Sequence, residues 1–223
     1  MKHKSKSLQI SCDGGAATGK STGAKLIAKK YKLAFLSSGL LYRYAAYLIL
    51  KNKPKNEIIF LKEKFKDLKY KKLSKINLHT PKISLESSII AKRFIVRQIL
   101  KKYQKNFIKT NKGCVLEGRD ASTNILPNSD IKFFFICDLN IAAQRRFNEL
   151  KKIDKNIKFR DVKKAIKQRN ILDKNRKHSP LKKHKNAVVV DTGKLNKKAM
   201  LEKMNMHVKK FINKKYDYWA RNQ

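Results

Sequence analysis

Acidic residues are scarce in this chain: 16 Asp and Glu stand against 56 Lys and Arg over 223 residues, for a formal net charge of +40. Such an excess suggests a polyanion partner, but lysine outnumbers arginine 46 to 10 and is spread along the whole chain. It therefore reads as a bias applied to every exposed position, not as a dedicated nucleic-acid surface. Cysteine is also rare. Cys12, Cys114 and Cys137 lack metal-ligand spacing, and on predicted core strands they fit free thiols in a reducing cytoplasm. No apolar run is long enough to span a bilayer, and the basic start M-K-H-K-S-K-S has no apolar segment behind it, so neither a membrane span nor a signal peptide is expected. No internal repeat is visible. What remains is a 41% hydrophobic chain of a length that suits one α/β domain over 1–223.

The most informative stretch lies near the N-terminus. Leu8, Ile10 and Cys12 form a short apolar run ending in Asp13, followed by Gly14-x-x-x-x-Gly19-Lys20-Ser21 and then a helical pattern with Ala24, Ile27, Ala28 and Tyr31 on one face. Strand, glycine-containing loop and helix in this order make a phosphate-binding loop. Gly14, Gly15 and Gly19 let the backbone turn its N–H groups inward onto phosphate oxygens. The loop runs into a helix N-terminus, which favours an anion. Lys20 can reach the β- and γ-phosphates, and the Ser21 hydroxyl is placed to ligate Mg2+. The spacing thus predicts nucleotide contacts from Gly14, Gly15, Ala16, Ala17, Thr18, Gly19, Lys20, Ser21 and Thr22.

Farther along, strands alternate with helices. A second strand over 33–36 ends in Ser37-Ser38-Gly39, a helix N-cap signal, with a helix over 40–50. Residues 51–78 read as a helix plus an irregular insert. Thr80-Pro81 opens a helix running to about Phe107, broken near Lys92. Gly113 to Glu117 is a buried strand ending in a carboxylate, and Ile131 to Cys137 is another. Helices follow over 141–150, around 162–171 and over 197–216, with a last strand at 187–191. Alternation of this kind predicts a parallel five-stranded sheet with helices on both faces.

Four signatures occur in one order: G-G-A-A-T-G-K-S-T at 14–22, S-S-G-L-L-Y-R at 37–43, E-G-R-D at 117–120 and R-N-I-L-D-K-N-R-K-H-S-P-L at 169–181, with V-V-D-T at 189–192 in the last strand. This pattern resembles the bacterial cytidylate kinases, nucleoside monophosphate kinases of the P-loop type. The resemblance implies phosphoryl transfer from ATP to CMP or dCMP with Mg2+ in the cytoplasm. It implies an acceptor-binding region at 51–107 and a mobile lid at 151–180. It also implies site roles: Arg43, Arg119 and Arg176 on the CMP phosphate; Ser38 in the substrate site; Ser88, Arg97 and Asp120 on cytosine; Arg169 and Asp173 reaching ribose or phosphates from the lid. Lys20, Arg119, Arg169 and Arg176 would act in transfer, and Ser21, Asp13 and Glu117 would serve the metal. The chemistry is apt, since a carboxylate suits the N4 amine of cytosine and arginine forks suit phosphate. Arg145 and Arg146 are left open between a site role and a helix surface.

The chain also departs from the family pattern. Ser37 stands where an acidic residue is usual, Ser122 replaces a glycine, and Leu172 and Lys174 replace lid arginines; the insert at 51–78 is expected to be reduced. A monomer is expected, with no specific nucleic-acid partner and no membrane. Two other readings remain: a P-loop kinase for UMP or another small acceptor, and a basic P-loop protein that binds RNA.

Overall fold

The computed structural model describes residues 7–220. Its strands are β1 (Gln9–Gly14), β2 (Ala34–Ser37), β3 (Cys114–Gly118), β4 (Ile131–Ile136) and β5 (Val188–Asp191). The helices are α1 (Lys20–Tyr31), α2 (Ser38–Asn52), α3 (Glu57–Lys66), α4 (Pro81–Ile90), α5 (Phe94–Thr110), α6 (Leu139–Lys151), α7 (Phe159–Asn175) and α8 (Lys197–Ala220). All strand pairings are parallel, in the order β2-β3-β1-β4-β5. The expected α/β fold with a five-stranded parallel sheet is therefore the fold of this chain.

Alternation along the strands sorts side chains to two faces. Cys114 and Leu116 of β3 and Leu36 of β2 face one core, filled by α2, α3 and α5 through residues such as Leu41, Leu61 and Leu100. Val115, together with Ile10 and Cys12 of β1 and Phe133 and Phe135 of β4, faces the other, filled by Ala24 and Ile27 of α1 and Met204 and Val208 of α8. Strands covered on both faces read as near-continuous hydrophobic runs, which is why I-K-F-F-F-I was recognisable. One cysteine differs from expectation. Cys12 and Cys114 are buried, but Cys137 is only half-buried because β4 ends one residue before it.

The insert is helical. α3 begins behind Asn56, whose side chain accepts from Ile59 N at 3.1 Å, and buries Leu61 and Phe65. A 3-10 turn (Tyr70–Lys75) then buries Leu73. The break expected near Lys92 lies at 91–93 and divides the stretch from Pro81 onward into α4 and α5; Thr80 caps α4 and Pro81 takes its first turn.

β1 is central, with β3 on one side and β4 on the other. The crevice beyond the carboxyl ends of the strands at this switch point is where ligands bind in open parallel sheets.

Candidate active site

β1 ends in Gly14, where an added Cβ would lie 2.5 Å from the Phe135 carbonyl oxygen, so backbone from β4 leaves room only for glycine. The loop turns through Ala17 (φ 57°) and Gly19 (φ 75°), both left-handed, into Lys20, the first residue of α1. α1 has no side-chain cap and no acidic residue in its first turn. Its leading N–H groups are therefore free for an anion. The loop is braced from within and behind. Thr18 Oγ1 donates to the Gly15 carbonyl at 3.1 Å, and Thr192 Oγ1, just past β5, donates to the Thr18 carbonyl at 2.9 Å. Arg145 of α6 holds Thr192 in turn, at 2.6 Å from its carbonyl oxygen and 3.1 Å from Oγ1. Arg145 is thus part of the loop's support. Arg146 pairs instead with Glu149 on the helix surface and reaches the His79 carbonyl at 3.4 Å.

Lys20 is buried. Its ammonium lies 3.4 Å from the Gly15 carbonyl and 3.8 Å from Glu117 Oε2. Burial, then the positive charge of Arg119, push its pKa down to about 7. Glu117, at the end of β3, also accepts a short hydrogen bond from Ser37 Oγ. Asp13 behaves otherwise than expected for a metal residue. It is fully buried, and its carboxylate accepts from Ala121 N at 2.8 Å, Ser122 N at 2.7 Å and Ser122 Oγ at 2.6 Å. Burial raises its pKa to about 6 against the lowering by these bonds. Asp13 therefore clasps the π-helical turn Ala121–Ile125 and does not line the cleft; Ser122, in place of the expected glycine, supplies two of the three clasping donors, one of them its hydroxyl.

On the other side of the cleft, Arg43 of α2 donates to the Leu78 carbonyl at 3.1 Å and to Ser84 Oγ at 2.5 Å. Arg97 of α5 is buried, with NH1 on the Ala91 carbonyl at 3.3 Å and NH2 on Asp120 Oδ2 at 2.6 Å; the break between α4 and α5 is what exposes that carbonyl. Its guanidinium also lies 5.5 Å from the Tyr42 ring centroid. Arg176, which follows α7, reaches Asp120 Oδ1 at 3.5 Å and Asp173 Oδ1 at 3.4 Å. Arg119 Nε donates to Asp173 Oδ2 at 2.7 Å. Burial alone would raise the Asp173 pKa, but Arg119 and Arg169 hold it below the usual carboxylate range. Ser88 donates to the Ser84 carbonyl at 3.1 Å, and Ser38 donates to Gln104 Oε1 at 2.7 Å. A pocket of about 40 Å³ is lined by Ser38, Tyr42, Ser88, Arg119, Asp120, Asp173 and Arg176 among others. It adjoins a cleft of about 1760 Å³ along the phosphate loop, which Lys20, Ser21, Arg43 and Arg169 also line. Residues from 14 to 176 are thus gathered at one end of the sheet.

Besides Thr192, Ser84 and Gln104, three more contacting residues were not anticipated. Asn170 Oδ1 accepts from the Ala16 amide at 2.8 Å, so this amide of the loop already has a partner within the chain. Tyr70 of the insert accepts from Ser37 N at 2.8 Å. Asn124 bridges Asp120 Oδ2 at 3.1 Å and Ser179 Oγ at 2.8 Å. Asn170 had a signal, its place beside Arg169 on an amphipathic helix; a lone Tyr in a lysine-rich insert had none.

Known proteins resemble this chain over most of its length. The cytidylate kinase family model matches residues 10–210. A cytidylate kinase of Bartonella tribocorum is 37% identical over 196 residues, 86% of this chain and 89% of that one. A Clostridium botulinum cytidylate kinase is 33% identical over 214 residues, 91% and 98% of the two chains. Among solved structures, an uncharacterized protein from Eubacterium ventriosum aligns over 92% of this chain and 99% of its own with a TM-score of 0.54 at 14% identity, a likeness of fold alone. The match runs from the first strand into the last helix, and the chain belongs to the cytidylate kinase family.

Proposed function

We propose that this protein transfers the γ-phosphoryl group of ATP to CMP or dCMP, giving CDP or dCDP and ADP. The observation that carries the reading is the Asp120 carboxylate, oriented by Arg97 in a small pocket beside the phosphate loop. Cytosine presents an N4 amine, which needs an acceptor, and O2 and N3, which need donors. Asp120 with Arg97 and Ser88 matches that set. Arg43, Arg119 and Arg176 supply forks for the acceptor phosphate, and Ser38 lines the same pocket.

In this reading an oxygen of the CMP phosphate attacks the γ-phosphorus in line, the bond to the β,γ-bridging oxygen breaks, and ADP leaves. Lys20 and the arginines position the two phosphates and offset charge on the group in flight. Residues 151–180 serve as the lid and 51–107 as the acceptor-binding region. The lid carries Arg169, whose buried Nε has no hydrogen-bond partner among the described residues; burial lowers its pKa to about 10, so it stays charged at neutral pH. An uncompensated buried donor of this kind suits an incoming anion. A closed lid excludes water and so favours CMP over hydrolysis.

The residues present fit Mg2+. Ser21 and Glu117 both line the cleft at the loop. No group of three or more His, Cys, Asp or Glu able to hold a metal occurs among the described residues, which suits an ion held chiefly by nucleotide phosphates and water. Ser21 and Glu117 would hold the ion, which would supply positive charge against the nucleotide phosphates. Asp13, fully buried and outside the lining of the cleft, is left out of that set. No helix among the described residues is long and apolar enough to cross a membrane. A cytoplasmic location and a monomeric state belong to the proposed reading.

An ADP-release assay over CMP, dCMP, UMP, AMP and GMP tests the assignment. CMP and dCMP should stimulate ADP release well above the others. Preference for UMP would make this a kinase for another acceptor. Tight, steeply salt-dependent RNA binding with no acceptor effect would favour the RNA-binding reading.

A further inference from the structure

We propose that Asn170 is a positioning residue that seats the lid helix on the phosphate loop and so fixes Arg169 over the transferring phosphate. Val162, Ile166 and Asn170 recur every four residues along α7 and share one face. Val162 and Ile166 form an apolar cluster with Ala143 of α6 and with Ala16 of the loop itself. One turn further on, that face meets the same residue in polar fashion: the Asn170 carboxamide oxygen takes the Ala16 N–H at 2.8 Å. The carboxamide lies close over the loop, since a Cβ at Gly15 would be 3.1 Å from Asn170 Oδ1. Arg169, the preceding residue, is brought to the cleft by the same turn of helix.

The ion pairs of this segment use side chains that the functional reading needs for substrate. Arg119 is bonded to Asp173, and Asp120 to Arg176. A bound nucleotide draws on all four. The Asn170 bond takes up the Ala16 amide, which was expected to contact nucleotide; with phosphate left to the remaining loop amides, this bond can persist while the substrates exchange partners with the rest. It is therefore the contact suited to hold α7 down during transfer. This inference rests on the phosphotransfer reading for its catalytic consequence, but the contact itself can be measured without turnover.

The test uses the full chain with Asn170→Ala, which removes the acceptor, and Asn170→Asp, which keeps it. Hydrogen exchange in ligand-free protein should show faster exchange over Ala16 and α7 in the Ala variant and near-normal protection in the Asp variant. In turnover, Asn170→Ala should lower kcat for CDP formation by about 10-fold, the equivalent of ~1.4 kcal/mol, with KM for CMP within about 2-fold. ATP hydrolysis per CDP formed should rise, and Asn170→Asp should restore both measures. Unchanged exchange and unchanged coupling in Asn170→Ala would overturn the proposal. So would an Asp variant as impaired as the Ala variant, or a parallel rise in every KM with a lower Tm, which marks a merely structural residue. If the wild-type chain makes no CDP while the exchange pattern appears as expected, the functional reading falls and the seat on the loop stands.

Discussion

Arg119 and Asp173 are bonded to each other across the cleft, Nε to Oδ2 at 2.7 Å, although they lie 54 residues apart and both were expected to face substrate. On the proposed reading, the acceptor nucleotide would separate them, with its phosphate taking Arg119 and its ribose meeting Asp173. Asp173→Ala is expected to narrow the preference between CMP and dCMP, measured as the ratio of their kcat/KM values. An unaltered ratio would place Asp173 away from the ribose hydroxyls.

Lys20→Met should remain folded by circular dichroism and lose phosphoryl transfer by ~10²- to 10³-fold, the scale for removing one preorganised group that stabilises the transition state. Turnover near that of the wild type would sink the assignment of the loop.

The pH dependence of ATP binding follows from the same residue. With its pKa lowered to about 7, Lys20 is charged below that pH and neutral above it in the free protein. The unfolded chain keeps the proton up to the ordinary lysine value of 10.5, so the contribution of this group to stability rises with pH between the two values. Bound phosphates favour the ammonium and draw the proton back. Calorimetry at pH 8 in two buffers of different ionisation enthalpy should show proton uptake on ATP binding that is absent in Lys20→Met. Equal uptake in both proteins would assign the proton elsewhere.

Asp120→Ala should weaken CMP binding more than ATP binding, as titration of each ligand would show. It also strips the partner from Arg97 and weakens the hold on Arg176, both buried. Breaking a buried pair costs ~3–5 kcal/mol, so a clear fall in Tm is expected as well. Asp120→Asn keeps an acceptor for the N4 amine and separates the two effects.

Arginine geometry can be tested at constant charge. Arg43→Lys, Arg97→Lys, Arg119→Lys and Arg176→Lys should each lower kcat/KM for CMP by ~10-fold or more, because an ammonium cannot span two oxygens. Arg160, exposed on α7, should tolerate the change. Arg221, also expected to be solvated, lies outside the described residues. If the four behave like Arg160, fork geometry is not what the site uses.

Much of this was readable because local chemistry dictated it. The phosphate loop needs glycine where φ is 75° at Gly19 and where β4 crowds Gly14, and a chain so rich in lysine made each arginine informative. The two-sided sheet was visible in unbroken apolar runs such as 131–136. Pairings across long separations were not visible. Nothing local marks Asp13 as the partner of Ser122, 109 residues away, and the acidic end of an apolar strand looks the same whether it serves a metal or a turn. The insert was obscure because lysines on its exposed face hide the periodicity that buries Leu61, Phe65 and Leu73.

The Asp13 clasp has a geometric consequence for the pair of nucleotides. Asp13 stands immediately before the loop that would hold ATP, and Ala121 and Ser122 come immediately after the residue that would read cytosine. One buried carboxylate thus ties the two recognition elements together at main-chain atoms. On the proposed reading, the span between donor and acceptor sites would be a fixed dimension of the sheet, set independently of α7. The lid would then have to supply charge and dryness, while the distance along which the phosphoryl group must travel would be built into the framework.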